Sequence, residues 1–154
     1  MPESIRPVDP AAIDLSVFKK QLADAIVMTK DGKLLMQQRT PDWGKSAGKL
    51  TAFGGHVEDG ETALQALKRE LKEELGADVN DAELISLGGL TEEETGHTEI
   101  VHAWFWHDKR CTITGCYECE AAYYDRAAGA LAHPMIMDYA VWMLKECEKR
   151  GLVK

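Results

Sequence analysis

Residues 62–76, TALQALKRELKEELG, commit the chain to one amphipathic helix and, through it, to a layered fold. Thr62 with Gln65 three positions on makes a capping box, and Gly76 stands where a helix ends in the left-handed conformation. On a 3.6-residue period Leu64, Leu67, Leu71 and Leu75 fall on one stripe, which must be buried against another element. A second face is anomalous. Glu70, Glu73 and Glu74, related as i, i+3 and i+4, lie roughly 100° of arc from the leucines, at the end where the helix dipole is already negative. Each like-charge pair of that kind costs about 0.2–0.5 kcal/mol in an isolated helix. Neutralisation by Lys68, Arg69 and Lys72 would leave an ordinary solvated face. A hard divalent cation, which prefers oxygen ligands, gives a sharper account, because stability lost in the empty helix returns on binding.

The rest of the chain supplies the layers. Residues 22–29, LADAIVMT, and 33–39, KLLMQQR, read as two strands joined by a hairpin turn at Asp31-Gly32. Residues 40–48 form a loop, and KLTAF (49–53) is a short strand running into Gly54-Gly55. AELISLGGL (82–90) and TEIVHAWFWHD (98–108) are further strands around a polar loop at 91–97. Residues 134–150 make an amphipathic final helix with Pro134 in its first turn, while 111–125 show no clear period. Hairpin strands with separated helices indicate an α/β or α+β sandwich, a mixed sheet with helices on its faces.

The 154 residues fit one domain, divided as an N-terminal extension over 1–20, loosely held with a short helix around 10–20, and a domain over 21–154. No apolar run approaches the roughly 20 residues of a spanning helix, and the start has no signal-type apolar region. A soluble cytoplasmic protein with no membrane partner is expected. The net charge of −8 argues against binding a nucleic-acid duplex, yet allows a phosphorylated small molecule with a cation in between.

The run 55–77 reads G-x5-E-x7-R-E-L-x-E-E-x-G: Gly55, Glu61, Arg69, Glu70, Leu71, Glu73, Glu74, Gly76, with Ala77 last. It resembles the box of the Nudix hydrolases, with every fixed position filled, over about a seventh of the chain. The resemblance implies the Nudix α/β/α sandwich and a Mg²⁺- or Mn²⁺-dependent pyrophosphohydrolase acting on a nucleoside diphosphate derivative. It makes Glu70, Glu73, Glu74 and the Gly54 carbonyl metal ligands, with Glu73 or Glu74 activating water. Gly55, Glu61, Arg69, Leu71 and Gly76 become structural, Glu61 pairing with Arg69 and Leu71 lying in the core. A further glutamate outside the box is expected at Glu118 or Glu120, with Glu92, Glu93 and Glu94 competing. Arg39, Trp43 and Glu118 are the expected substrate contacts, and Trp43, a large aromatic in a loop, equally suits a dimer mate or the edge of the core, leaving a homodimer open.

Subfamily markers for other substrates are missing. The proline of ADP-ribose hydrolases would fall near Thr91, and the tyrosine of dinucleoside polyphosphate hydrolases has no counterpart in 91–97. Nucleoside triphosphates, modified ones included, remain. The alternative is a Nudix-fold module that binds a nucleotide without cleaving it, a class whose box glutamates are usually eroded.

GKSAGK (44–49) is one residue short of a P-loop. Cys111, Cys116 and Cys119, with Cys147 distant, follow C-x4-C-x2-C, an iron–sulfur order, but free thiols suit a chain of this kind better. Asp24 inside the first strand reads as edge- or loop-facing, and Trp104 and Trp106 share a face with His102 that either core or a stacked base explains.

Overall fold

The computed structural model describes residues 4–154. Its organising element is strand β2 (Lys20–Met28), whose alternate side chains are apolar on both faces, so that a helix layer is needed on each side. Ala23, Ala25 and Val27 point to one layer, Leu22, Ile26 and Met28 to the other. The remaining strands are β1 (Ile5–Val8), β3 (Leu34–Gln38), β4 (Leu50–Thr51), β5 (Phe53–His56), β6 (Leu84–Glu92), β7 (Glu99–His107) and β8 (Glu120–Tyr124). The helices are α1 (Ala63–Leu75), α2 (Ala127–Leu131) and α3 (Asp138–Lys149).

The sheet runs β1-β6-β7-β2-β3-β4, with β5 also on β2 and β8 on β3. The β2–β7 pair is parallel and every other pair antiparallel, which makes the expected mixed sheet. One edge of β2 is covered by β7 from Lys20 to Met28. Its other edge is shared: β5 covers Leu22–Ala25 and β3 covers only Val27 and Met28. The sheet therefore forks, and the chain between β4 and β5 crosses the fork from β3 to β2.

Helix α1 is built as its sequence dictates. Thr62 Oγ1 accepts from Gln65 N at 3.1 Å, Gln65 Oε1 accepts from Thr62 N at 2.9 Å, and Gly76 closes the helix at φ 65°. Leu67, Leu71 and Leu75 are fully buried against Ala23, Ala25, Val27, Leu35, Phe53 and Trp106, each contributing about 1.5–3 kcal/mol. Leu64 is only half-buried, and Ala66 takes the inner position. Small Ala23 and Ala25 let the helix approach the sheet closely. On the opposite face, α2 and α3 bring Ala127, Ala130, Tyr139, Ala140, Met143, Leu144 and Cys147 onto Ile26, Leu34, Met36, Val101, Ala103 and Phe105.

Several elements differ from expectation. The N-terminal segment is held: β1 pairs with β6 from Ile5↔Glu92 to Val8↔Gly89, and Ile5 enters the core. The helix expected around 10–20 is a single 3₁₀ turn, Leu15–Val17, capped by Asp14, whose Oδ1 accepts from Ser16 N at 3.0 Å. Residues 1–3 of that extension lie outside the described residues. The final helix begins at Asp138, not Pro134, because the backbone at 135–137 is taken by β4: Leu50 N donates to Met135 O and Met137 N to Leu50 O. Trp104 and Trp106 pack on the α1 side and Phe105 on the α3 side, so the core accounts for both faces of β7. Among the described residues no helix is long and apolar enough to cross a membrane.

Candidate active site

The acidic face of α1 lies over the fork. Glu74, the residue next to the leucine stripe, is 4% exposed, and its two carboxylate oxygens are both engaged. Oε1 accepts from Gly54 N at 2.9 Å and Oε2 from Gln37 Nε2 at 3.2 Å. Burial pushes this carboxyl up to about 9, the charges of Glu70, Asp24 and Glu118 push the same way, and the Gly54 N–H opposes them. Glu70 is raised by burial and held down by Arg69, while Glu73 and Glu118 push it up. Its carboxylate fills the space where Gly55 has no side chain: a Cβ there would stand 2.5 Å from Glu70 Cδ. Gly54 is as tightly bounded, at φ 149° with Ala23 O and Asp24 Oδ1 occupying the place of a side chain.

Arg69 ties the loop to the helix. Its Nε donates to Glu61 Oε2 at 2.8 Å, and Nη2 donates to Glu61 Oε1 at 2.9 Å and to His56 O at 3.0 Å. Its Nη1 donates to Glu70 Oε1 at 2.9 Å and lies 3.5 Å from Glu73 Oε1. Bidentate pairing of this kind fixes geometry as well as charge. The Arg69 hydrogen bonds hold the Glu61 carboxyl down to about 2. Glu73 is the most open of the three helix glutamates, its side chain half exposed.

Two residues at the fork were misjudged or missed in the sequence. Asp24 is neither at an edge nor in a loop; it lies on the central strand, 4% exposed and paired in register with Gly54. Burial pushes it up to about 8, with Arg39 opposing and Glu70 and Glu92 reinforcing. Gln37 links two groups, accepting from Arg39 Nε at 3.2 Å through its oxygen while its amide nitrogen donates to Glu74. Arg39 in turn lies over the Trp43 ring, 5.5 Å from its centre, so Trp43, Arg39, Gln37 and Glu74 form one chain of contacts. A polar residue at an inward position of KLLMQQR was the available signal for Gln37.

The candidate outer glutamates separate. Glu118 is exposed, and its charge reaches Glu70 and Glu74. Glu120 starts β8 opposite Gln38. Glu92 is pushed up to about 7, chiefly by burial, and its charge reaches Asp24 from the other side of the fork. Glu93 and Glu94 lie in the turn after β6. The four cysteines do not converge: Cys111 is exposed, Cys116 and Cys119 adjoin one another, and Cys147 is buried in the core on the α3 side.

The donor set fits a hard cation in kind, since it is all oxygen and concentrates carboxylates that raise one another's pKa. Among the described residues no three such side chains are drawn together as a finished metal cage. The reason is visible: Glu74 is turned onto Gly54 and Gln37, and Arg69 supplies the positive charge between Glu70 and Glu73.

The family model for the NUDIX domain matches residues 19–132. The chain is 34% identical to the CTP pyrophosphohydrolase of Escherichia coli over 111 residues, 72% of this chain and 79% of that protein. It is 35% identical to the oxidized purine nucleoside triphosphate hydrolase of Danio rerio over 85 residues, about half of each chain. In three dimensions it superposes on the solution structure of the E. coli ORF135 protein with a TM-score of 0.66 and 28% identity, covering 90% of this chain and 96% of that one. A mutT/nudix family protein from Listeria innocua superposes with a TM-score of 0.67 at 22% identity, a likeness of fold. The chain belongs to the Nudix family and is a hydrolase.

Proposed function

We propose that this hydrolase is a Mg²⁺- or Mn²⁺-dependent pyrophosphohydrolase that cleaves a diphosphate linkage in a nucleoside triphosphate, modified triphosphates included. The observation that carries the reading is the buried Glu74 carboxyl, held by Gly54 N–H and Gln37 beside Glu70, Asp24 and Glu118. Carboxyls raised by burial and by one another cluster at functional sites. The substrate class is supported by the relatives, two of which are named for nucleoside triphosphates.

Glu70, Glu73, Glu74 and the Gly54 carbonyl would hold the cation. When bound, it would offset the charge of the diphosphate and acidify the attacking water. Positioning and charge neutralisation dominate phosphoryl-type chemistry, and the protein's own part is to position the substrate and the attacking water. Glu74, its carboxyl raised to about 9 chiefly by burial, must give up a proton before it can act as a base. Glu73, half exposed, reaches water without that step. Arg39 offers positive charge to phosphate oxygens, and Trp43 beneath it offers a stacking face. Glu118 completes the acidic rim. Arg69 is committed to Glu61 and His56 and shapes the loop.

Phosphate and pyrophosphate release should be measured across nucleoside triphosphates, sugar nucleotides and dinucleotides, with Mg²⁺ and with EDTA. Turnover of triphosphates should require the metal, and Glu73→Gln or Glu74→Gln should lower kcat by about 10²–10⁴ with the fold retained. Full turnover in EDTA, or in both variants, would sink the reading.

A further inference from the structure

Cys116 and Cys119 stand with their sulfurs 2.9 Å apart, closer than two non-bonded sulfurs normally rest, and both are half-buried against the α1-side core. The segment that carries them is fastened at defined points. The Asp108 carboxylate accepts from Thr112 N and Ile113 N, both at 2.9 Å. Thr114 N donates to Leu75 O at 2.9 Å, and Tyr117 N donates to Glu74 O at 2.9 Å. The cysteine pair is therefore strapped to the end of α1 that bears the acidic face. Glu118 lies between the two cysteines, and its charge is felt at Glu70 and Glu74. The remaining cysteines lie apart from the pair: Cys111 is exposed and Cys147 lies in the core on the other face of the sheet.

We infer that Cys116 and Cys119 are a reversible disulfide-forming pair, a redox modification site that stiffens the segment carrying Glu118. With a low-molecular-weight disulfide as oxidant, the step balances by exchange. The thiolate of one cysteine attacks a sulfur of R–S–S–R and expels one thiol, leaving a mixed disulfide. The second cysteine then attacks the protein sulfur of that mixed disulfide and expels the other R–SH. Each cysteine gives up one proton and the pair loses two electrons, which the external disulfide gains. Closure needs the sulfurs to move from 2.9 Å to about 2.05 Å, within reach of side-chain rotation. Glu118 is exposed at the rim of the acidic face, with its charge reaching Glu70 and Glu74, and a four-residue ring around it would restrict the segment that carries it. The last consequence rests on the proposed hydrolytic reading; the disulfide itself does not.

The full chain, purified reduced, should be incubated with glutathione disulfide, alkylated and mapped by mass spectrometry, with amide hydrogen exchange measured in parallel. Two thiols should be lost to a disulfide joining Cys116 to Cys119, and a third only if exposed Cys111 takes up glutathione in place of remaining alkylatable. Cys119→Ser should stop at a mixed disulfide on Cys116. Exchange over 112–119 should slow on oxidation in the wild type and not in Cys116→Ser, and triphosphate hydrolysis should fall severalfold and return with dithiothreitol. The pair remaining reduced in the folded chain, or stoichiometric zinc on its sulfurs, would overturn the inference. So would a disulfide that forms without slowing exchange. Absence of hydrolysis in the reduced protein would count against the hydrolytic reading alone, since mapping and exchange still decide the site.

Discussion

Replacing Glu74 by Gln should change how the stability of the metal-free protein depends on pH. The folded carboxyl sits at about 9 and its ordinary value is 4.5. Between those values the folded chain holds a proton that the unfolded chain has lost, so unfolding free energy falls as pH rises, by about 1.4 kcal/mol per pH unit. From about pH 5.5 to about pH 7.5 this single group should therefore cost the wild type roughly 3 kcal/mol. Asp24, raised from 3.8 to about 8, acts the same way in both proteins and cancels in the difference. Glutamine does not titrate, but it brings its own penalty. Its oxygen can keep the Gly54 N–H, and its NH₂ then faces the Gln37 donor, leaving an unsatisfied contact worth about 1–3 kcal/mol. The variant should start below the wild type in acid, lose less stability on the way up, and meet or pass it near neutrality. Urea unfolding in EDTA at several pH values across that window measures both lines. Parallel lines for the two proteins would refute the reasoning, because they would mean that Glu74 titrates alike in the folded and unfolded chains.

Arg69→Ala should lower the melting temperature by several degrees as well as reduce turnover, because it removes at once the bonds to both Glu61 oxygens, leaving Glu61 only the Glu58 N–H, and those to the His56 carbonyl and Glu70; unchanged melting with lost turnover would move Arg69 to the substrate. Gly55→Ala should leave the fold standing but displace the Glu70 carboxylate, cutting turnover and the stabilisation by added Mg²⁺ by about tenfold or more. Retention of wild-type kinetics would show that Glu70 can retreat without consequence.

What could be read from the sequence was what repeats on a short period. The capping box, the leucine stripe, the terminal Gly76 and the shared face of the three glutamates are local, and the helix reproduces them. The hairpin at Gly32 was equally local. Features fixed by distant partners were not legible. Strand β8 carries the weakly alternating EAAYY, partly covered on both faces, and is defined by its register with β3 across the fold. Strand β1 has one buried residue and a proline, so nothing but its pairing with β6 marks it. Pro134 suggested a helix start, yet β4 claims the next residues' backbone and delays the helix to Asp138. At the site, the box pointed to Glu70, Glu73 and Glu74. It could not show that Gln37 bonds Glu74 or that the charge of Asp24 reaches Glu74, because both depend on where the sheet forks.

The folding unit and the recognised unit do not share boundaries. The family match runs from 19 to 132, while Ile5 in β1 and Tyr139, Met143, Leu144 and Cys147 in α3 lie outside it and complete one face of the core. A fragment trimmed to the match would leave the β6 edge unpaired and bare the apolar side of Ile26, Leu34, Met36 and Phe105. Exposed edges and apolar sheet faces invite pairing with other chains. Such a fragment would keep every box residue and still tend to aggregate, because the residues that close this face of the core lie outside the match.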